Sequence, residues 1–186
     1  MPAAAEPRVE AVLRLAQQHE LEQVARRLGL RERPCLAVVG GADGLAPDEV
    51  AELERLFTND LAPLAASIGA VAVDGGTDSG VMRAMGRARA RTGDSFPLVG
   101  VVPEALAHDL EPNHSHFVLV PGSDWGDGAP WLAGVATSLA DGHTSATLLV
   151  NGGEVSWADA EASVAAGRPV VALAGSGRAA DALAAA

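Results

Sequence analysis

Val71-Ala72-Val73-Asp74-Gly75-Gly76-Thr77-Asp78-Ser79-Gly80-Val81-Met82-Arg83-Ala84-Met85-Gly86 passes from a short apolar run, through a glycine pair, into helical spacing. Ile68 to Val73 is apolar and partly β-branched, which predicts a buried strand, and Val81 to Ala90 predicts a helix. Gly75 and Gly76 at such a junction let the backbone approach a ligand where Cβ atoms would collide. The first turn of the following helix offers unpaired N–H groups to an anion. Two readings of the turn stand side by side. In one, Gly75 to Gly80 cradles a nucleotide phosphate; in the other, it is a tight turn with Thr77, Asp78 or Ser79 as helix cap.

Outward from this stretch, the same unit recurs. Cys35 to Val39 predicts a strand ending at Gly40-Gly41-Ala42-Asp43-Gly44. Pro47-Asp48-Glu49 then opens a helix running to about Ala66, with Pro63 as its point of interruption. Ala146 to Val150 ends at Asn151-Gly152-Gly153-Glu154, before a helix from Ser156 to Ala166 in which Ser156 and Asp159 fit a capping box. Val170 to Ala174 leads to Gly175-Ser176-Gly177, a further anion-sized turn with Arg178 beside it. Phe96 to Val102 and Phe117 to Val120 supply two more strands, and Glu104 to Pro112 between them reads as a helical turn or lid-like loop. Such alternation predicts an α/β fold, a Rossmann-like three-layer sandwich with a mostly parallel central sheet. Residues 35–186 are expected to form that domain. Residues 1–34 are expected to be a helical segment packed on it: a loose tail to Pro7, then an apolar stripe over Arg8 to Leu28 that ends at Gly29.

The interior is built from small residues, since 48% of the chain is hydrophobic but only 3% is aromatic. A net charge of -11 without a Lys/Arg cluster argues against nucleic acid and anionic membrane surfaces as partners, while leaving room for a small phosphorylated ligand. Cys35, the sole cysteine, excludes an intrachain disulfide and reads as a small buried hydrophobe. No signal core or spanning run is evident, so a cytoplasmic protein is expected.

Among polar side chains, Arg83 and Arg87 are placed to reach a phosphate, whereas Arg89 and Arg91 are expected on a solvated helix face. His114 and His116 share one face of an extended segment, but no third ligand follows, so no metal site is assigned. The polar end of the sheet or a ligand pocket is the expected place for them. Trp125 suits stacking on a base, and Trp131 suits a packing anchor. Asp124 and Asp127 suit either caps or the hold on a magnesium ion or ribose hydroxyl.

Three pieces together resemble a known superfamily: Gly75-Gly76-Thr77-Asp78-Ser79-Gly80-Val81-Met82, Asn113-His114-Ser115-His116-Phe117-Val118-Leu119-Val120, and Asn151-Gly152-Gly153-Glu154. The sequence resembles the SLOG group, which includes Lonely Guy phosphoribohydrolases, Smf/DprA proteins and the nucleotide-sensing domains of melastatin-type TRP channels. It is most similar to the LSDAT branch in its prokaryotic stand-alone form. The resemblance implies a Rossmann-like domain that binds a nucleotide or a nucleotide-derived, ADP-ribose-like ligand. The ligand-contacting set expected from turns and resemblance together is Gly40, Gly41, Gly75, Gly76, Thr77, Asp78, Ser79, Gly80, Arg83, His116, Trp125, Asn151, Gly152, Gly153, Glu154 and Ser156. No cofactor is required, although Mg2+ is compatible with a bound nucleotide. The related hydrolases also imply a homo-oligomer, most simply a dimer.

The phosphoribohydrolase motif Pro-Gly-Gly-x-Gly-Thr-x-x-Glu falls on Asn151 to Asp159. Asn151 stands for the proline, Val155 for the third glycine, Ser156 for the threonine and Asp159 for the glutamate. If the chain is an enzyme, it is expected to cleave the N-glycosidic bond of a nucleoside 5'-monophosphate, with Asp159 or Glu154 stabilising an oxocarbenium-like ribose. A non-enzymatic interaction protein, using the N-terminal segment as its surface, is the third expectation.

Overall fold

A parallel sheet needs apolar cover on both faces, and the central strands here have side chains that bury on both. In the computed structural model, which describes residues 9–41 and 44–186, there are seven strands. They are β1 (Ala11–Arg14), β2 (Cys35–Gly40), β3 (Val71–Asp74), β4 (Leu98–Pro103), β5 (His116–Val120), β6 (Ser145–Val150) and β7 (Val170–Ala172). Their order is β1-β5-β4-β3-β2-β6-β7 and every neighbouring pair is parallel. Every residue of β3, β4 and β5 is buried. The expected α/β sandwich with a largely parallel sheet is the architecture observed.

Helices α1 (Val24–Leu28), α5 (Ala129–Ala140), α6 (Glu154–Ala165) and α7 (Arg178–Ala184) cover one face. Val39, Val101, Val118 and Leu149 meet Val24, Leu132, Val135 and Ala179 there. On the other face lie α2 (Pro47–Leu56), α3 (Ala62–Ser67) and α4 (Gly80–Arg91), with Phe57, Met85 and Leu98 at the centre of that core. A third, smaller cluster forms where Val102, Phe117 and Leu119 are covered by residues 104–113, the strap that connects β4 to β5.

Four expectations change. The N-terminal segment is not wholly helical: Ala11–Arg14 pairs with β5 and closes that side of the sheet, and the helical part begins at Gln18 with a 3-10 turn before α1. Val12 and Leu13 point to opposite faces, 51% and 7% exposed, so the apolar stripe there has strand alternation that long-range pairing selects. Residues 11–14 therefore contribute a strand to the same sheet as the rest. The long helix from Pro47 divides at a π-helical turn, Phe57–Leu61, which shifts the register so that Pro63 falls in the first turn of α3, where its missing N–H is harmless.

Arg89 is buried rather than solvated, at 6% exposed. The last turn of α4 lies over the entries to β4 and β5, whose carbonyls need donors. Arg89 gives Nε–H to the Phe96 carbonyl at 2.8 Å and Nη1–H to the Asn113 carbonyl at 2.8 Å. Arg87 and Arg91 instead donate to Glu54 on α2. Finally, α6 starts at Glu154 with Gly153 as its N-cap, so Ser156 and Asp159 lie inside the helix and do not form a capping box. Ser156 packs against Gly152, and its burial displaces the cap to the glycine before the helix.

Candidate functional site

β2 is the point where the strand order reverses. From it the chain fills one side through β3, β4 and β5, then crosses to β6 and β7 on the other. In open α/β sheets, ligands bind outside the carboxyl ends of strands at such a point. A cavity of about 680 Å³ lies there. The turns after β2, β3 and β6 reach it with Gly40 and Gly41, with Gly75, Thr77 and Ser79, and with Gly153, Glu154 and Ser156. Trp125 stands at its rim, 52% exposed, and Asp159 lies in its wall. Residues not singled out in the sequence complete it, among them Met82, Pro103, Asp109 and Leu132. Arg178 also lines the cavity, its guanidinium lying against Gly153.

The glycines divide by what a side chain would meet. At Gly75 the atoms nearest to an added Cβ would be those of the Met82 side chain, at 3.7 Å or more, so a Cβ fits there without a clash. At Gly76, with φ +68, a Cβ would stand 2.8 Å from the Gly100 Cα, and at Gly100 a Cβ would stand 2.6 Å from the Gly76 Cα. These two glycines let the turn cross directly over β4. Gly40 is likewise fixed by protein contacts, because its Cβ would meet the Val150 carbonyl oxygen at 2.2 Å.

The turn after β3 is anchored from beneath by a buried charge network. Asp74 Oδ1 accepts the Gly76 N–H at 2.7 Å and His114 Nε2–H at 2.7 Å. His114 Nδ1–H donates to Glu111 Oε2 at 2.8 Å, and Asn113 donates its N–H and its Nδ2–H to the same carboxylate. All three charged side chains are essentially inaccessible. Burial opposes a charge on the imidazole, but Asp74 and Glu111 outweigh it and raise the His114 pKa to about 9, so the ring is an imidazolium at neutral pH. Asp74 Oδ2 is buried without a hydrogen-bond partner among the described residues. Glu111 belongs to the strap, which also pairs with the turn through its backbone. The Glu111 N–H donates to the Gly76 carbonyl, the Asp78 N–H donates to the Asp109 carbonyl, and Thr77 and Leu110 form an antiparallel bridge. Neither Asp74 nor Glu111 carried a sequence signal; the strand-turn position of Asp74 was the only hint available.

The remaining expected residues lie around the cavity or away from it. Gly76, Asp78, Gly80 and Arg83 belong to the same turn but do not line the cavity. Arg83 instead turns onto Asp78, donating Nε–H to Oδ1 at 2.7 Å and Nη2–H to the carbonyl. Asn151 and Gly152 form the base of the β6 turn, where the Asn151 N–H donates to Ser176 Oγ at 2.8 Å. His116 begins β5, at the amino edge of the sheet, and its Nδ1 pairs with Ser115 Oγ at 2.7 Å. A five-residue strand separates it from the carboxyl edge, on the order of 15 Å. Burial also lowers its pKa. Asp127 caps its own turn, accepting the Ser123 and Asp124 N–H groups, which lower its pKa. Trp131 is the packing anchor expected of it. Ala42 and Asp43 of the β2 turn, and the tail to Pro7, lie outside the described residues.

Electrostatically the wall is mixed. Arg178 is its cationic side chain among the described residues, and Asp109, Glu154 and Asp159 are its acids. Asp159 is half-buried, and burial pushes its carboxyl up to about 7. No described group of three or more His, Cys, Asp or Glu residues could hold a metal ion. Among the described residues, no helix is long and apolar enough to cross a membrane.

A parallel sheet with glycine turns gathered at its switch point defines the Rossmann-like class of ligand-binding domains. The chain belongs within it to the LSDAT_prok family, described as SLOG in TRPM, prokaryote, whose profile matches residues 33–186. The fold thus has the type found in nucleotide-sensing SLOG domains. No curated protein matches the chain in sequence. Among solved structures, the X-ray structure of the structural-genomics target TM1055 is 22% identical with a TM-score of 0.65, covering 82% of this chain and 81% of that one. The molybdenum cofactor binding protein from the phototrophic bacterium Rippkaea orientalis is 14% identical with a TM-score of 0.56, covering 74% of each. Both share the fold.

Proposed function

We propose that the switch-point cavity binds a nucleotide or nucleotide-derived ligand and that the chain acts as a sensor of it. The observation that carries this reading is the convergence of three glycine turns and the first turns of α4 and α6 on one cavity. Helix first turns present N–H groups that have no intrahelical partner, and the dipole favours an anion at both. Phosphate oxygens would be held by these N–H groups, by Thr77 and Ser79 hydroxyls and by Arg178. Trp125 would cover the base. The test is calorimetric titration with AMP, ADP, ATP, ADP-ribose and cyclic dinucleotides. Because a protein of the same fold binds molybdenum cofactor, a phosphorylated pterin belongs in the panel as well. Gly75→Val is expected to weaken binding by at least about tenfold, ~1.4 kcal/mol, with an unchanged thermal midpoint, since Gly75 lines the cavity and an added Cβ there makes ordinary van der Waals contact, its nearest neighbours being atoms of Met82 at 3.7 Å or more. Gly76 is unsuitable for this test because its substitution would disturb β4. Silence across the panel would sink the proposal.

One observation favours a second reading, N-glycosidic cleavage: the Asp159 carboxyl is held near 7, where it can either donate or accept a proton. In that case a nucleoside 5'-monophosphate would release free base and ribose 5-phosphate. Asp159→Asn would lower kcat by about a hundredfold or more, while Glu154→Gln would retain turnover. Absence of released base over long incubation rejects the enzyme.

A further inference from the structure

The cavity has one side that a phosphate does not suit. On the α5 and α6 face of the sheet its walls are Val39, Val101 and Leu132, all members of the apolar core, and α6 adds to them the half-buried acid Asp159, the other acid it brings to the cavity, Glu154, being exposed. Of the acids that line the cavity, Asp109 and Glu154 are exposed to solvent, whereas Asp159 is half-buried and its carboxyl receives no hydrogen bond from any described residue. A carboxylate beside apolar walls is costly unless donors reach it. No described residue supplies one, which leaves that part to an occupant of the cavity. The 3-10 turn that carries Trp125 packs against β4, α5 and α6, which places the one aromatic among the described cavity residues on this same side. A flat ring edge fits between apolar walls and beneath an aromatic cover, whereas a sugar carries hydroxyls on several sides and would leave some unmet there.

We infer that Asp159 selects the ligand's ring: its carboxylate receives the paired donors, ring N–H and exocyclic NH2, of a 2-amino-4-oxo-pyrimidine edge. Guanine and pterin present that edge in common. The two carboxylate oxygens meet two parallel N–H groups as they meet the fork of an arginine. Hypoxanthine supplies one of the two donors. Adenine turns an acceptor nitrogen toward the carboxylate and is disfavoured. The inference rests on the binding reading above and adds to it the chemistry of the base.

Calorimetric titration of the whole chain and of Asp159→Asn with GMP, IMP, AMP, 2'-deoxy-GMP and a phosphorylated pterin tests it. GMP, the phosphorylated pterin, or both are expected to bind the unaltered chain at least about tenfold more tightly than IMP or AMP, the discrimination a bidentate contact supplies. Comparison of the GMP and pterin arms tells which source of the shared edge is preferred. Asp159→Asn is expected to bring GMP, IMP and AMP within about threefold of one another, and 2'-deoxy-GMP to follow GMP in both proteins. Equal affinities for GMP, IMP and AMP in the unaltered chain, with the phosphorylated pterin binding no more tightly than they do, overturn the assignment while leaving the binding reading in place. So does a preference that survives Asp159→Asn, or a loss specific to 2'-deoxy-GMP, which would place ribose at the carboxylate. Silence with every ligand overturns the binding reading and this assignment with it.

Discussion

Gly86→Ala is expected to destabilise the protein by about 3 to 4 kcal/mol, read as a lowered urea midpoint. In an ordinary helix interior the same change stabilises by roughly 1 kcal/mol, because alanine has the higher helix propensity. Here the sign reverses. An added Cβ would stand 2.0 Å from Glu111 Oε2 and 2.1 Å from its Cδ, so helix α4 must lift or the carboxylate must leave. Neither is cheap. Lifting α4 opens the core around Met85 and Val81, and moving Glu111 takes an anion from a buried imidazolium. Gly126→Ala serves as the control, since a Cβ there meets nothing within 4 Å, and it should leave the midpoint within about 0.5 kcal/mol of wild type. A Gly86→Ala midpoint equal to or above wild type would remove the strap from its place under the helix.

His114→Gln is expected to have the second large effect, and its mark is in the pH dependence. The imidazole pKa rises from 6.5 in the unfolded chain to about 9 in the folded one. A raised pKa contributes stability that is fully present below 6.5 and disappears as pH climbs through about 9. Across that window the wild-type protein should lose ~3 kcal/mol, at up to about 1.4 kcal/mol per pH unit. Glutamine has no proton to lose there. The variant should be less stable than wild type by about 3 kcal/mol near pH 6, and the gap should narrow toward pH 9. Urea melts at several pH values check this; parallel curves for the two proteins would reject the imidazolium.

These expectations concern residues whose importance the sequence carried unequally. The strand-glycine-helix units at Gly40, Gly75 and Gly152 were legible because each is local: an apolar run, a break, a change of period. Their meeting at one cavity followed from the parallel order. What escaped was decided by neighbours distant in the chain. Ala11–Arg14 is a strand because β5 has an edge to satisfy, and Arg89 is buried because Phe96 and Asn113 present carbonyls beneath it. His114 and His116 look equivalent in an alternating segment, yet one faces Asp74 and Glu111 while the other starts β5 beside Ser115 and faces Glu10. Ser156 and Asp159 carried the spacing of a cap. A local pattern could not reveal that the helix starts two residues earlier, at Glu154, capped by a glycine of the β6 turn.

The crossing of Gly76 over Gly100 leaves each residue answerable for the other. Neither position has a single-step path to any other amino acid, because the first side-chain atom at either one arrives inside the backbone of its partner. Nor would changing both together help, since two Cβ atoms need more room than one. Only a shift of the whole β3 turn away from β4 would admit a side chain, and that turn carries Gly75, Thr77 and Ser79 to the cavity. In a lineage of such chains, drift can therefore remodel the acids and the aromatic at the rim of the cavity, while the turn that forms its floor is inherited intact.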